Sequence, residues 1–132
     1  MSAAAVCDAS AVVAALVDGG PDGTWAAGRL AGRRLLAPHL MPFEVANILR
    51  RQELSGAVTA DVAAQAHADL LDLGVQLWPY ETLAVGVRVL RANLTAYDAA
   101  YVALAELVDA PLVTLDARIA RAPGVRCAVE SR

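Results

Sequence analysis

Short runs of apolar residues alternate along the chain with longer segments in which apolar residues recur at helical spacing. The short runs lack the strict alternation of a half-exposed strand, so they predict strands that are covered on both faces. These predicted strands span residues 3–8, 34–38, 74–79, 111–116 and 125–129.

The longer segments predict helices, and residues typical of helix ends mark several of their boundaries. The predicted helices span residues 10–17, 25–33, 42–54, 59–73, 81–92 and 95–109. The segment GPDGT at 20–24 predicts a turn. Strands that alternate with helices pair in parallel, which predicts an α/β fold, a three-layer α/β/α sandwich with a central parallel sheet.

Four acidic residues are placed where such a fold forms its cleft. In open parallel sheets the cleft lies at the carboxyl ends of the strands, near the point where the strand order reverses. Asp8 ends the first predicted strand and Asp116 ends the strand at 111–116. Glu44 and Asp98 lie in the first turns of two predicted helices that are entered from the same edge. We therefore expect four carboxylates from four segments to converge.

Each of these acids also has a purely structural explanation. Asp8 and Asp116 could be helix N-caps or turn residues after strands. Asp98 stands three residues after Thr95, as in a capping box, and Glu44 could be favoured by the helix dipole. The combination favours a site, because Asp8 and Glu44 stand directly beside apolar residues, where a solvated acid is unexpected.

A cluster of carboxylates must take up protons or bind a cation. Two carboxylates about 5 Å apart at an effective dielectric near 20 repel each other by roughly 3 kcal/mol. A site with only oxygen ligands suits Mg²⁺ or Mn²⁺, which activate water and clamp a phosphodiester. Ser10, Asn47 and Thr114 are spaced to orient an acid or a metal-bound water, and ordinary hydrogen bonding at element ends explains them equally well.

Composition limits the remaining possibilities. The 132 residues fit one domain, and the hydrophobic fraction of 58% predicts an oligomer or a tightly bound protein partner. The net charge of −3 argues against a simple electrostatic nucleic-acid binder, although a bound cation or local arginines can offset it. All eleven basic residues are arginine, which excludes mechanisms that need a lysine, such as P-loop and Schiff-base chemistry.

The chain shows neither a secretory signal nor an apolar stretch that would span a bilayer, so we expect a cytoplasmic protein. Cys7 and Cys127 lie in apolar stretches near opposite ends of the chain. In a reducing compartment, buried free thiols are favoured over a disulfide.

Four segments carry a resemblance to a known family. VCDAS, PFEVANIL, LTAYDAAYVALAE and LVTLDARIA occur in the order and spacing of PIN-domain proteins, and they most resemble the compact VapC-type toxins. The resemblance spans essentially the whole chain and implies a single PIN domain over 1–132. It implies a Mg²⁺- or Mn²⁺-dependent endoribonuclease that forms a homodimer and is inhibited by a cognate antitoxin. The catalytic and metal-binding acids it implies are Asp8, Glu44, Asp98 and Asp116.

The segment after Asp116, ARIARAPGVRC, is predicted to be a loop and is richer in arginine than the same loop in many PIN-domain proteins. Arg118 and Arg121 are candidate contacts to RNA phosphates, with a solvated surface as the alternative. Tyr101 is interpreted as a packing residue. An alternative function is a catalytically weak PIN-fold interaction module that acts through its dimer and antitoxin contacts. A haloacid-dehalogenase or serine hydrolase is excluded, because the chain has no DxD, no lysine and no GxSxG.

Overall fold

The computed structural model describes residues 3–132 and contains one parallel sheet flanked by helices. The five strands are β1 (Ala4–Cys7), β2 (Arg34–Pro38), β3 (Gln76–Trp78), β4 (Leu112–Val113) and β5 (Val129–Glu130). Within residues 3–132 the seven helices are α1 (Ala9–Val17), α2 (Pro21–Leu30), α3 (Met41–Leu54), α4 (Ala60–Asp72), α5 (Tyr80–Val89), α6 (Ala96–Val108) and α7 (Ala117–Arg121). The predicted α/β/α class with a central parallel sheet is confirmed.

The strand order is β3-β2-β1-β4-β5, with β1 at the centre. Cys7, the last residue of β1, lies opposite Val113, the last residue of β4. The chain leaves β1 toward β2 and β3 on one side of the sheet and later returns to place β4 and β5 on the other. The strand order therefore reverses between β1 and β4, and their carboxyl ends open the cleft that this topology provides.

The central strands and α6 form the core because they are covered on all sides. In β1, Ala5, Val6 and Cys7 are fully buried, which explains why this strand carries no alternating polar residues. In α6 every residue from 99 to 105 is buried. Gly86 lets α5 approach α6, because a Cβ at this position would lie 2.7 Å from the Cβ of Ala103.

Three local predictions are wrong. The segment 20–24 is not a turn, because Pro21 occupies the first position of α2, where its missing N–H and fixed φ suit a helix start. That helix ends at Leu30 and not at residue 33, and Gly32 follows with a φ of 73°. The last strand covers only Val129–Glu130, because the backbone N–H groups of Arg126 and Cys127 donate to the Glu106 carboxylate.

The segment after Asp116, predicted as a loop, contains the short helix α7. It begins at Asp116, whose carboxylate accepts a hydrogen bond from the backbone N–H of Arg118. A single helical turn carries too few residues to establish an apolar periodicity, so its N-cap was the only available signal.

Both cysteines are free, as predicted. Cys7 is buried and Cys127 is half-buried. Burial raises the pKa of the Cys7 thiol to about 12 and that of the Cys127 thiol to about 11, so both stay protonated at neutral pH. Among the helices of residues 3–132, none combines the length and the apolar character that crossing a bilayer requires.

Candidate active site

Asp8 lies at the carboxyl end of β1 and caps α1. Its Oδ1 accepts hydrogen bonds from the backbone N–H of Ala11 at 3.0 Å and from the Ser10 hydroxyl at 2.6 Å. Its Oδ2 accepts a hydrogen bond from the Thr114 hydroxyl, contributed by the end of β4. Only 7% of the residue is exposed, and this burial raises the pKa of the Asp8 carboxyl although the three donors oppose the shift.

Ser10 and Thr114 join the ends of β1 and β4. The Ser10 hydroxyl accepts a hydrogen bond from the backbone N–H of Leu115 at 3.1 Å. The Thr114 hydroxyl accepts one from the backbone N–H of Asp116 at 2.9 Å. Each hydroxyl therefore donates to Asp8 and accepts from the β4 side, which fixes the direction in which the Asp8 carboxylate points.

Glu44 enters the cluster from the first turn of α3. Its Oε1 accepts a 2.5 Å hydrogen bond from the phenol of Tyr101, a residue of α6 that is 2% exposed. Burial raises the pKa of the Glu44 carboxyl, the Tyr101 hydrogen bond lowers it, and the charges of Asp8 and Asp98 raise it further. Burial and the neighbouring Glu44 also raise the pKa of Tyr101, which stays a donor.

The role of Tyr101 was only half predicted. It packs in the core as expected, and in addition its hydroxyl holds one of the four acids. The available signal was its position three residues after Asp98, since positions i and i+3 of a helix share a face. A buried tyrosine also needs a partner for its hydroxyl, and a carboxylate at the same edge is a strong acceptor.

Asp98 lies in the first turn of α6 but does not cap the helix with its side chain. The N-cap is Thr95, whose hydroxyl oxygen accepts the backbone N–H of Asp98 at 3.2 Å. Within residues 3–132 no return hydrogen bond runs from the Asp98 carboxylate to Thr95, so the capping box is incomplete. Burial and the nearby Asp116 raise the pKa of the Asp98 carboxyl, while Arg118 lowers it.

Asp116 follows β4 and is paired with a cation. The Arg118 Nε donates to Asp116 Oδ1 at 2.9 Å, and its Nη2 donates to Oδ2 at 2.7 Å. These contacts hold the pKa of Asp116 below its ordinary value. The Arg118 side chain is 81% exposed, and Arg121 at the end of α7 is exposed as well.

Charge repulsion connects the four acids across their four segments. Asp8 and Asp98 each raise the pKa of Glu44, Asp98 raises that of Asp8, and Asp116 raises that of Asp98. A pocket of about 220 Å³ opens beside them and includes Asp98, Asp116 and Arg118 in its lining. Asn47, which follows Glu44 by three residues, is exposed, and within residues 3–132 its side chain forms no hydrogen bond.

The donors fit a hard divalent cation in chemistry but are not gathered around one point. Carboxylate oxygens, which all four acids supply, are the donors that Mg²⁺ and Mn²⁺ prefer. Within residues 3–132, however, no three acidic, thiol or imidazole side chains are arranged to hold a metal ion together. Asp116 is paired with the Arg118 guanidinium, so binding an ion at this carboxylate would require side-chain rearrangement.

Comparison with known proteins places the chain in a family. Residues 5–125 match the PIN domain. Ribonuclease VapC1 from Mycobacterium tuberculosis is 40% identical over 126 residues, covering 95% of both chains. The crystal structure of PAE2754 from Pyrobaculum aerophilum has a TM-score of 0.68 and 24% identity, covering 96% of this chain and 92% of that one. A member of the VapBC family of toxin-antitoxin systems, VapBC-5 from Mycobacterium tuberculosis, has a TM-score of 0.59 and 25% identity, covering 98% and 97%.

The chain therefore belongs to the PIN-domain family. Among members of that family it resembles the VapC proteins across nearly its whole length.

Proposed function

We propose that this protein is a Mg²⁺- or Mn²⁺-dependent endoribonuclease and the toxin of a toxin–antitoxin pair. The observation that carries the proposal is that four acids from four segments lie near enough to the reversal of strand order for their charges to act on one another, and that the pKa of three of them is raised. Like charges held together out of water are costly to the folded protein, and such strained groups cluster at functional sites. The similarity to Ribonuclease VapC1 supports RNA as the substrate.

Asp8, Glu44, Asp98 and Asp116 would hold the ion. When bound, a divalent cation of this kind lowers the pKa of a coordinated water and stabilises the charge that develops on a phosphodiester. The protein groups do the positioning. Ser10 and Thr114 fix the Asp8 carboxylate, and Tyr101 fixes that of Glu44. These donors are neutral, so they can orient an acid without cancelling the charge that attracts a cation.

The proposed partners are a cognate antitoxin and a second copy of the chain, in the cytoplasm. The similarity to VapBC-5, described as a toxin-antitoxin family member, supports the antitoxin. Large apolar side chains stand exposed on several helices, and exposed apolar surface is typical of protein interfaces. The most exposed of them are Val85, Phe43, Leu71, Leu54 and Val89.

The function is tested by incubating purified protein with total RNA, with and without Mg²⁺ or Mn²⁺, beside the variant Asp98→Asn. This substitution keeps the size of the side chain and leaves the Thr95 cap intact. We expect metal-dependent cleavage by the wild type and its loss in Asp98→Asn. The matched control is Asp61→Asn, which changes an exposed acid in the first turn of another threonine-capped helix, α4.

Equal cleavage by the wild type and Asp98→Asn would contradict the proposed site. Cleavage that persists after removal of divalent cations would contradict the proposed metal dependence. Matching circular dichroism spectra of the wild type and Asp98→Asn would exclude misfolding as the cause of a loss of cleavage.

A further inference from the structure

Arg118 is the one arginine that contacts the acidic cluster within residues 3–132, and it does so through Asp116. Both oxygens of this carboxylate are engaged, Oδ1 by the backbone N–H and Nε of Arg118 and Oδ2 by Nη2. A carboxylate oxygen has two lone pairs, so Oδ1 is saturated. Asp116 Oδ2 has one lone pair left, and Nη2 of the Arg118 guanidinium lies 2.7 Å from this oxygen.

The other acids are held differently. Asp8 accepts from two hydroxyls and a backbone N–H, and Glu44 accepts from a phenol. All of these donors are neutral and can remain while the acid binds a cation. A guanidinium cannot remain in the same way, because two positive charges would then share one carboxylate in a partly desolvated pocket.

We propose that Arg118 is a displaceable counter-ion of the metal site, which a bound divalent cation expels from Asp116 and thereby frees to contact a phosphate of the substrate. This inference rests on the proposed function. The exposure of the Arg118 side chain supports it, since the side chain is 81% exposed and can leave Asp116 without breaking apolar packing. An exposed ion pair contributes little net stability, so replacing the Arg118 guanidinium by a divalent cation costs little free energy.

The geometry after displacement favours a contact with phosphate. Arg118 and Asp116 line the same pocket as Asp98, so the released guanidinium stays beside the acids that would hold the ion. A guanidinium presents paired N–H donors that match phosphate oxygens as well as carboxylate oxygens. The same side chain would thus neutralise Asp116 before the ion binds and the RNA afterwards.

The experiment measures Mn²⁺ affinity by calorimetry for the wild type, Arg118→Ala and Arg121→Ala, each in the full-length chain. Arg121 is the matched control, because it lies on the same helix, is exposed and acts on Asp116 through its charge alone. We expect Arg118→Ala to bind Mn²⁺ about fivefold more tightly, as the loss of one exposed ion pair predicts, and Arg121→Ala to change much less.

The second measurement is the kinetics of RNA cleavage at saturating Mn²⁺. If Arg118 contacts a phosphate, Arg118→Ala raises KM by about fivefold and changes kcat much less, since a binding contact is lost. A variant that binds the ion more tightly and its substrate more weakly is not what a structural role would produce.

Unchanged or weaker Mn²⁺ binding by Arg118→Ala would overturn the proposal that Arg118 is a displaceable counter-ion. Equal increases in Mn²⁺ affinity in Arg118→Ala and Arg121→Ala would also overturn this proposal. The effect would then come from the net charge and not from the contact between Arg118 and Asp116. An unchanged KM in Arg118→Ala would overturn the proposal that Arg118 contacts a phosphate of the RNA. If neither the wild type nor the variants bound Mn²⁺, the proposed function would fail together with the inference, whereas the other failures leave metal-dependent cleavage intact.

Discussion

The carboxyl ends of β1 and β4 lie side by side, yet they hold their acids in opposite ways. Asp8 and Asp116 each follow a strand and each cap the next helix. Asp8 is buried among neutral donors, and its pKa is raised. Asp116 is less buried and paired with Arg118, and its pKa is lowered. Equivalent positions after two neighbouring strands therefore hold different carboxylates. Asp8 is fixed by neutral donors and has a raised pKa, whereas Asp116 is paired with an exposed arginine that we propose can be displaced.

The largest effect is expected from Asp8→Asn. The amide oxygen keeps the α1 cap, because asparagine caps helices as well as aspartate does. The substitution removes a buried charge that repels its neighbours, so we expect the free energy of unfolding to rise by about 1 kcal/mol while RNA cleavage falls at least about a hundredfold. Thermal unfolding and a cleavage assay test this, and Asp116→Asn should show no such gain in stability. A loss of stability in Asp8→Asn would contradict the strain ascribed to this carboxylate.

The link between the two strand ends is tested by Thr114→Val, which removes a hydroxyl at nearly constant shape. Asp8 then loses one donor and the backbone N–H of Asp116 loses its acceptor. An unsatisfied buried group costs about 1–3 kcal/mol, so we expect a destabilisation of that size in denaturant unfolding, with reduced cleavage. Thr24→Val, at an exposed position of α2, serves as the control. Equal stability of the two variants would show that the hydroxyl does not join the strands.

A smaller effect is expected from Tyr101→Phe. The ring stays in the core, but Glu44 loses the phenol that donates to it. We expect a destabilisation of about 1 kcal/mol and a cleavage rate lower by up to about tenfold. Tyr80→Phe is the matched control, since Tyr80 is 59% exposed. If both variants cleaved RNA like the wild type, the hydrogen bond to Glu44 would have no part in positioning.

The smallest effect expected is a dependence of stability on pH that has opposite signs at the two strand ends. The folded pKa values of Asp8, Glu44 and Asp98 are raised above their ordinary values of 3.8, 4.5 and 3.8. The folded state therefore binds protons at a higher pH than the unfolded state does. As pH falls through the raised folded pKa values toward the ordinary ones, these groups make the protein more stable.

Asp116 acts in the other direction, because its folded pKa lies below 3.8. Its stabilising contribution is complete above that value and is lost as pH falls further through the folded pKa. Denaturant unfolding at a series of pH values should give a maximum in the free energy of unfolding on the acid side of neutrality. Asp8→Asn should flatten the dependence of stability on pH on the alkaline side of this maximum, and an unchanged slope in this variant would contradict the raised pKa of Asp8.

Much of the centre of the sheet was predictable from the sequence because β1 and β4 are fully apolar and acids follow their ends. The runs ending at Asp8 and Asp116 gave the edge of the cleft, since strand direction alone decides which edge they share. The start of α2 was harder to predict. Pro21 and Gly23 favour a turn as readily as a helix start, and only packing against α1 distinguishes the two.

The details of the candidate site depend on contacts between side chains, and the spacing of residues along the sequence does not determine these contacts. The hydroxyl of Tyr101 meets Glu44 across 57 positions of the chain. Arg118 was assigned to phosphate or solvent, although it lies two residues from an acid it can reach. A side chain as long as arginine has several partners within its reach, and the sequence does not rank them.

The hydrogen bond from Thr114 to Asp8 spans 106 positions, and that from Leu115 to Ser10 spans 105. A ribosome must therefore add more than a hundred residues after Asp8 before this carboxylate can meet its partner hydroxyl. A nascent chain carries Asp8 and Glu44 early, but Glu44 meets its donor only when Tyr101 of α6 has been made, and Asp8 meets Thr114 later still. If these acids form the proposed site, that site is incomplete, and therefore inert, until β4 has been made.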